Sequence, residues 1–175
     1  MSELLARQPG LLNASWDWGG GDWENGLEAA AHTGSREMAL FLLEKGARLN
    51  VFAAAMLGYL DVVRHGAATP GFAVARGAHG IPLLTHALAG KDPARSVVAF
   101  LIEQGADVNA AASNGMTPLM MAVQTGQREA VKLLLEKGAA PNTKAANGKT
   151  ALNLSLEAKL DDIAGDLRAA GASEF

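Results

Sequence analysis

The chain has 175 residues, a net charge of −3 and no cysteine. Its length suits one globular domain or one short repeat array. The acidic balance argues against nucleic acid, because phosphate binding needs a basic face, and the lack of cysteine excludes disulfides and thiolate metal sites. The longest apolar stretch, residues 51–60, is far shorter than the roughly 20 residues that cross a bilayer. We therefore predict a cytoplasmic protein with no membrane partner.

The chain begins with a segment that has the pattern of half a repeat. Residues 1–14 contain the apolar pair Leu4-Leu5, then Pro9-Gly10, then a second apolar pair, Leu11-Leu12. An apolar helix followed by Pro-Gly predicts a helix and an exit turn. We interpret residues 1–14 as an N-terminal half-repeat cap.

Residues 15–50 are predicted to form the first full repeat, and its opening segment is unusual. Three tryptophans and three carboxylates alternate there around a Gly-Gly-Gly run: Trp16, Asp17, Trp18, Asp22, Trp23 and Glu24. Tryptophan provides a large rigid contact area, and its combination with acids suits a protein partner, a cation or a sugar. We predict that these six residues form a binding surface, while at least one tryptophan packs on the first repeat.

The remaining segments share one frame of two short helices. Residues 51–75 form a second repeat, residues 76–109 a third, residues 110–142 a fourth, and residues 143–175 a polar C-terminal capping repeat, all within one continuous domain. Such caps keep a repeat array soluble. Three glycines close successive units at equal intervals: Gly105, Gly138 and Gly171. A fixed period of roughly 20–50 residues indicates a repeat architecture such as a stacked solenoid.

The spacing also shows where the array is irregular. A long segment separates Asn109 from Ala122, whereas Asn50 and Ala54, at the matching positions of the second repeat, are almost adjacent. The second repeat is therefore predicted to lack the loop that precedes the helices of the other repeats.

Two sequence motifs resemble the ankyrin repeat. Its TPLHxAA pattern appears as Thr117 to Val123, and its GADVN pattern appears unchanged at Gly105 to Asn109. The resemblance covers residues 24–172. It implies an all-α, ankyrin-type solenoid of stacked helix pairs with short hairpins, called fingers, that project from it. It also implies that binding occurs on a concave face formed by the fingers and the inner helices.

Further candidate binding residues follow from this frame. The first finger covers residues 15–26 and the second covers residues 75–82, so Arg76 and His79 of the second are predicted to face the first across the missing finger. Alternatively, the second finger is an ordinary finger whose glycines only form its turn and that has no binding role. His86, on the next inner helix, and Met120, where the family often places groove-facing groups, complete the predicted set.

The sequence offers no catalytic signature. It has no GxSxG, Walker or GxGxxG motif, and its histidines lack metal-ligand spacing, so we predict no metal and no cofactor. The predicted function is that of a monomeric, non-catalytic module whose concave groove binds another protein. The alternative is a small-ligand or carbohydrate binder, or a hydrolase, that uses the notch between the two fingers.

Overall fold

The computed structural model describes residues 2–17 and 22–173. Within them the chain forms eleven α-helices and one antiparallel pair of strands. The N-terminal part contains α1 (Ser2–Arg7), a 3-10 helix (Pro9–Asn13), β1 (Ser15–Asp17) and β2 (Trp23–Asn25). Five pairs of inner and outer helices follow: α2 (Gly26–His32) with α3 (Arg36–Glu44), α4 (Val51–Leu57) with α5 (Leu60–Gly66), α6 (Leu83–Ala89) with α7 (Arg95–Glu103), α8 (Pro118–Gln124) with α9 (Arg128–Glu136), and α10 (Ala151–Glu157) with α11 (Asp161–Ala169). The predicted all-α architecture is confirmed.

Capping residues set where the inner helices begin and where the outer helices end. Thr117 and Thr150, at matching positions of repeats 4 and 5, accept hydrogen bonds from the backbone amides of Met120 and Asn153 at 3.3 and 3.2 Å. These bonds satisfy amides that have no partner inside the helix. Four glycines with φ between 83° and 95° follow the outer helices: Gly46, Gly105, Gly138 and Gly171. Glycine adopts this left-handed conformation without the strain that a Cβ atom brings.

The inner helices stack side by side in the order α2, α4, α6, α8, α10, and the outer helices cover one side of that stack. Small residues on the inner helices permit the close stacking, and Ala31, Ala54 and Ala122 are fully buried. Two clusters of buried side chains result, one in repeats 1 and 2 and one that runs from repeat 2 to repeat 5. Phe52 and Tyr59 of repeat 2 pack against both clusters and so join them.

Repeat 2 is the irregular part of the stack. Residues 45–50 link α3 to α4 without a hairpin, and α5 has 7 residues where the other four paired outer helices have 9. Because no finger separates their neighbours, α2 of repeat 1 contacts α6 of repeat 3 directly. The approach is so close that a methyl group on Gly34 would lie 2.5 Å from the carbonyl oxygen of Ala89.

Consecutive fingers are joined by hydrogen bonds. From the second finger onward each finger makes a main-chain bond to the next: the amide of Ser113 donates to the carbonyl of His79 at 3.1 Å, and the amide of Ala146 donates to the carbonyl of Asn114 at 2.9 Å. The first finger is joined to the second by the side chain of Asp22 instead.

Candidate functional site

The first finger is a hairpin in which Trp16 pairs with Glu24. It leads directly into α2, because Asn25 caps that helix by accepting from the amides of Leu27 and Glu28 at 3.0 and 3.1 Å. The Glu28 carboxylate in turn accepts from the Asn25 backbone amide at 3.3 Å. This reciprocal capping box fixes the angle at which the finger meets the helix. Burial raises the pKa of Glu28.

The second finger is a tight turn in which the Gly77 amide donates to the carbonyl of Ile81 at 2.9 Å. His79 at its tip has φ 57°, a conformation that is costly for a residue with a side chain. The guanidinium of Arg76 donates to the carbonyls of Gly80 at 2.6 Å and Ala111 at 2.8 Å. Arg76 therefore stabilises this turn and links it to the next finger, although its side chain remains exposed.

Asp22 of the first finger holds His79 with both carboxylate oxygens. Asp22 Oδ1 accepts a hydrogen bond from the His79 backbone amide at 2.7 Å, and Asp22 Oδ2 is 2.7 Å from the ring atom Nδ1 of His79. The backbone amide, then the ring of His79, keep the pKa of Asp22 below its usual value. Since Asp22 is ionised at neutral pH, His79 Nδ1 is assigned as the protonated ring atom that donates to it.

Glu24 lies between two histidines. Its Oε1 is 2.7 Å from Nδ1 of His32, at the end of α2, and its Oε2 is 3.5 Å from Nε2 of His79. The rings of His32 and His79 are 5.4 Å apart and nearly perpendicular. Only 5% of Glu24 is exposed. We call these four residues, Asp22, Glu24, His32 and His79, the polar junction; it joins the first finger, α2 and the second finger.

His86 lies between the second finger and α4. It is the fourth residue of α6, as Met121 is of α8, and its ring contacts Phe52 of α4 with centroids 4.8 Å apart. A Cβ atom on Gly77 would come within 3.0 Å of the ring, so the glycine makes room for it. Burial lowers the pKa of His86 to about 4, although its hydrogen bond to the Pro82 carbonyl opposes the shift. The ring is therefore neutral at physiological pH.

The structure places eight of the ten predicted binding residues, in three groups: the polar junction, the exposed finger residues and two buried residues. Asp22, Glu24 and His79 come together in the polar junction, while Trp16, Asp17 and Arg76 are exposed on the fingers. Trp18 and the side chain of Trp23 lie outside the described residues. The remaining two predictions, for His86 and Met120, need correction.

Neither His86 nor Met120 lies on a surface, since each is 1% exposed. His86 is covered by the second finger and α4, and Met120 belongs to the hydrophobic core. The half-buried neighbour Met121 is the methionine that reaches the surface. Its side of α8 is the concave one, because α6, α9 and α10 cover the others.

Sequence reasoning missed the part that His32 takes in the junction. The spacing between Glu24 and His32 matches no recognised metal or catalytic pattern. Side chains on a helix tilt toward its N-terminus, so His32 at the end of α2 points back toward the finger that precedes the helix. That tilt, applied to a histidine on an inner helix behind an acidic finger, is the signal that would have identified it.

Two surface cavities lie at the opposite ends of the helices from the fingers. One, of about 420 Å³, is lined by residues that include Lys91, Arg95 and Arg128, at the turns of repeats 3 and 4. The other, of about 450 Å³, is lined by Arg128 and the turn of repeat 5. At the predicted notch, by contrast, the two fingers contact each other through Asp22 and His79.

The stacked helix pairs and their projecting fingers define a helical solenoid protein. A protein-family model for ankyrin repeats, in three copies, matches residues 84–173, just over half of the chain. The protein belongs to the ankyrin repeat family, and the resemblance predicted from sequence is confirmed. No curated protein matches the chain.

Ankyrin repeats are generally protein–protein interaction modules and are typically not enzymes. Within the described part of the chain, no helix has the length and apolar character needed to cross a membrane.

Proposed function

We propose that this protein is a non-catalytic interaction module that binds another protein through its first finger and its concave face. The observation that carries the proposal is Trp16, which is 57% exposed on a strand that pairs with buried Glu24. An exposed indole on a braced strand costs little conformational entropy when it binds, and tryptophan is enriched among the residues that dominate binding energy.

The braced hairpin supports this assignment. Asn25 fixes the finger to α2, and Asp22 fixes it to the second finger. The exposed residue Asp17 follows Trp16 in the same strand. Successive side chains of a strand point to opposite faces, so the finger offers a partner an apolar ring on one face and a carboxylate on the other.

The concave face extends the proposed surface along the regular repeats. Met121 of α8 and Leu154 of α10 are half-buried at matching positions, each being the fourth residue of its helix. Every residue of α6 is buried, so the concave face is interrupted at repeat 3. In this proposal the partner contacts the first finger at one end of the molecule and α8 and α10 at the other.

A small-ligand, carbohydrate or hydrolase site in the notch has less support. The fingers contact each other across that space through the Asp22 carboxylate, which binds the backbone amide and the ring of His79. The monomeric state and the cytoplasmic location remain predictions.

Replacing Trp16 with alanine tests the proposal. We expect binding to the partner to weaken by about 2 kcal/mol or more, roughly 30-fold, as for other central interface tryptophans. The free energy of unfolding should fall by less than about 1 kcal/mol, because an exposed side chain loses little burial. The partner is first captured from a lysate of the source organism with wild-type bait and identified by mass spectrometry. Its affinity is then measured by calorimetry with purified components.

Leu40→Ala is the matched control. Leu40 is an apolar residue that is 40% exposed on the outer helix α3, away from the fingers. We expect this variant to bind the partner as the wild type does. Equal affinities for wild type and Trp16→Ala would remove the first finger from the proposed interface.

A further inference from the structure

The polar junction has the composition of a metal site. Glu24 oxygens, His32 Nδ1 and His79 Nε2 each offer one ligand atom, and these atoms lie within 4.8 Å of one another. Two imidazoles and one carboxylate form a ligand set that zinc accepts. The three residues come from β2, α2 and the second finger, so the set is created by the fold and not by a local sequence pattern.

The orientation of His79 supports a metal ligand. Its Nδ1 is held by the Asp22 carboxylate at 2.7 Å, so Nε2, on the side of Glu24, is the ring nitrogen that is placed to bind an ion. A carboxylate that fixes the second nitrogen in this way is the usual support of a metal-bound histidine, because it sets the tautomer and raises the basicity of the ligand. In this arrangement Asp22 is a positioning residue.

The contacts of Glu24 have nearly the spacing of metal ligands. Its Oε2 lies 3.5 Å from Nε2 of His79, a separation close to the roughly 3.3 Å between two ligands of a tetrahedral zinc ion with bonds of about 2.0–2.1 Å. Nδ1 of His32 is buried and 2.7 Å from Glu24 Oε1, but no aligned hydrogen bond joins the two atoms. A shift of His32 by about half an ångström would give that pair the same spacing.

The surroundings would admit an ion. The side chain of Glu24 is 6% exposed and that of His32 is 20% exposed, whereas the side chain of His79 is 36% exposed. The carboxylate therefore lies on the inner side of the site and His79 on its solvent side, which gives a path for entry. With three protein ligands, a fourth position remains for water or for a group from a partner.

We propose that Glu24, His32 and His79 bind one Zn²⁺ ion, with Asp22 orienting His79. The ion would join the first finger to the second where the finger of repeat 2 is missing.

Titration of tag-free, chelator-treated protein with Zn²⁺ at pH 7.5 tests the proposal. We expect calorimetry to show saturation at one ion per chain and the melting temperature to rise as the ion binds. In ¹⁵N spectra of the imidazoles, Nδ1 of His32 and Nε2 of His79 should shift on addition of Zn²⁺, whereas the nitrogens of His65 and His86 should not. A wild-type protein that binds no zinc, or that binds it without these two shifts, would overturn the proposal.

Variants assign the ligands. His32→Gln, Glu24→Gln and His79→Gln should each weaken zinc binding at least tenfold, and Asp22→Asn should weaken it by roughly 10- to 100-fold, as losses of such supporting carboxylates do. His65→Gln is the matched control, because His65 is exposed on α5 outside the junction, and it should bind as the wild type does. Circular dichroism checks that each variant folds. Unchanged binding by folded His79→Gln, or an equal loss in His65→Gln, would also refute the site.

Discussion

Repeats 1 to 3 and repeats 4 and 5 are stacked through different kinds of contact; we call them the irregular and the regular half. From the end of repeat 3 to repeat 5 the contacts recur with the period of the sequence: Asn109 and Asn142, at matching positions, each donate to a glycine carbonyl of the following repeat, at 3.1 and 2.9 Å. In repeats 1 to 3 one finger is missing, and contacts at single positions take the place of the recurring ones, among them Asp22 with His79 and His86 with Phe52. The regular repeats are joined by contacts that recur with the repeat, together with the Arg128–Asp166 ion pair between α9 and α11, whereas the irregular repeats depend on polar groups at single positions.

The largest expected difference in stability between the halves is at a glycine in the turn that joins an inner helix to its outer helix. Gly58 and Gly126 occupy the same position with φ 81° and 71°. A Cβ atom on Gly58 would lie 2.0 Å from the carbonyl oxygen of Pro93, whereas one on Gly126 would meet no heavy atom within 4 Å. We expect Gly58→Ala to lower the free energy of unfolding by about 3 kcal/mol or more, and Gly126→Ala by about 1 kcal/mol. Urea denaturation of both variants measures this, and equal losses would mean that repeats 2 and 3 are not closely packed.

A smaller effect should appear as a pH dependence of the free energy of unfolding, caused by His86 in the irregular half. The pKa of His86 is about 4 in the folded protein and about 6.5 when unfolded. Below pH 6.5 the unfolded chain takes up a proton that the folded protein does not, so stability is complete above pH 6.5 and falls as pH is lowered toward 4. Between pH 6.5 and 5 the loss due to His86 is about 2 kcal/mol.

The control for this pH effect is His86→Leu, which keeps the bulk of the side chain and removes its titration. We expect the stability of the variant to fall less steeply than that of the wild type over the same pH range. Parallel curves from urea denaturation would show that His86 is protonated in the folded protein, contrary to its burial beneath the second finger.

The smallest of these effects on stability concerns backbone strain at Lys159, in the regular half. Lys159 takes the position of Gly126 in the next repeat, and its φ is 56°. We expect Lys159→Gly to raise the free energy of unfolding by about 1 kcal/mol, because glycine adopts this conformation without strain. Lys132→Gly within α9 is the control and should lower stability by a similar amount. A loss of stability in Lys159→Gly would show that the side chain contributes more than its backbone strain costs.

The fold could be predicted because its signals are local and repeated. The Thr117-Pro118 start, the closing glycines and their constant period each describe a short segment, and their repetition removes ambiguity. The irregular spacing between Asn50 and Ala54 also identified the place where the array changes.

The candidate site could be predicted only in part. Asp22, Glu24 and His79 were selected for their chemistry, but their meeting depends on contact between repeats 1 and 3, which are separated by 57 residues at the Asp22–His79 bond. His86 and Met120 were expected at the surface because the concave side of a regular array is open. Direct contact between α2 and α6 and the position of the second finger leave α6 buried instead.

Contact between α2 and α6 also bears on how the chain folds. In a simple repeat array each unit contacts only its neighbours, so stability is a sum of local terms and the ends can unfold separately. Here repeat 1 contacts both repeat 2 and repeat 3, which closes a loop of contacts over a long sequence separation and slows folding. We expect the amide protons of α2, α4 and α6 to exchange with solvent in one concerted opening, while α10 and α11 open separately at the other end.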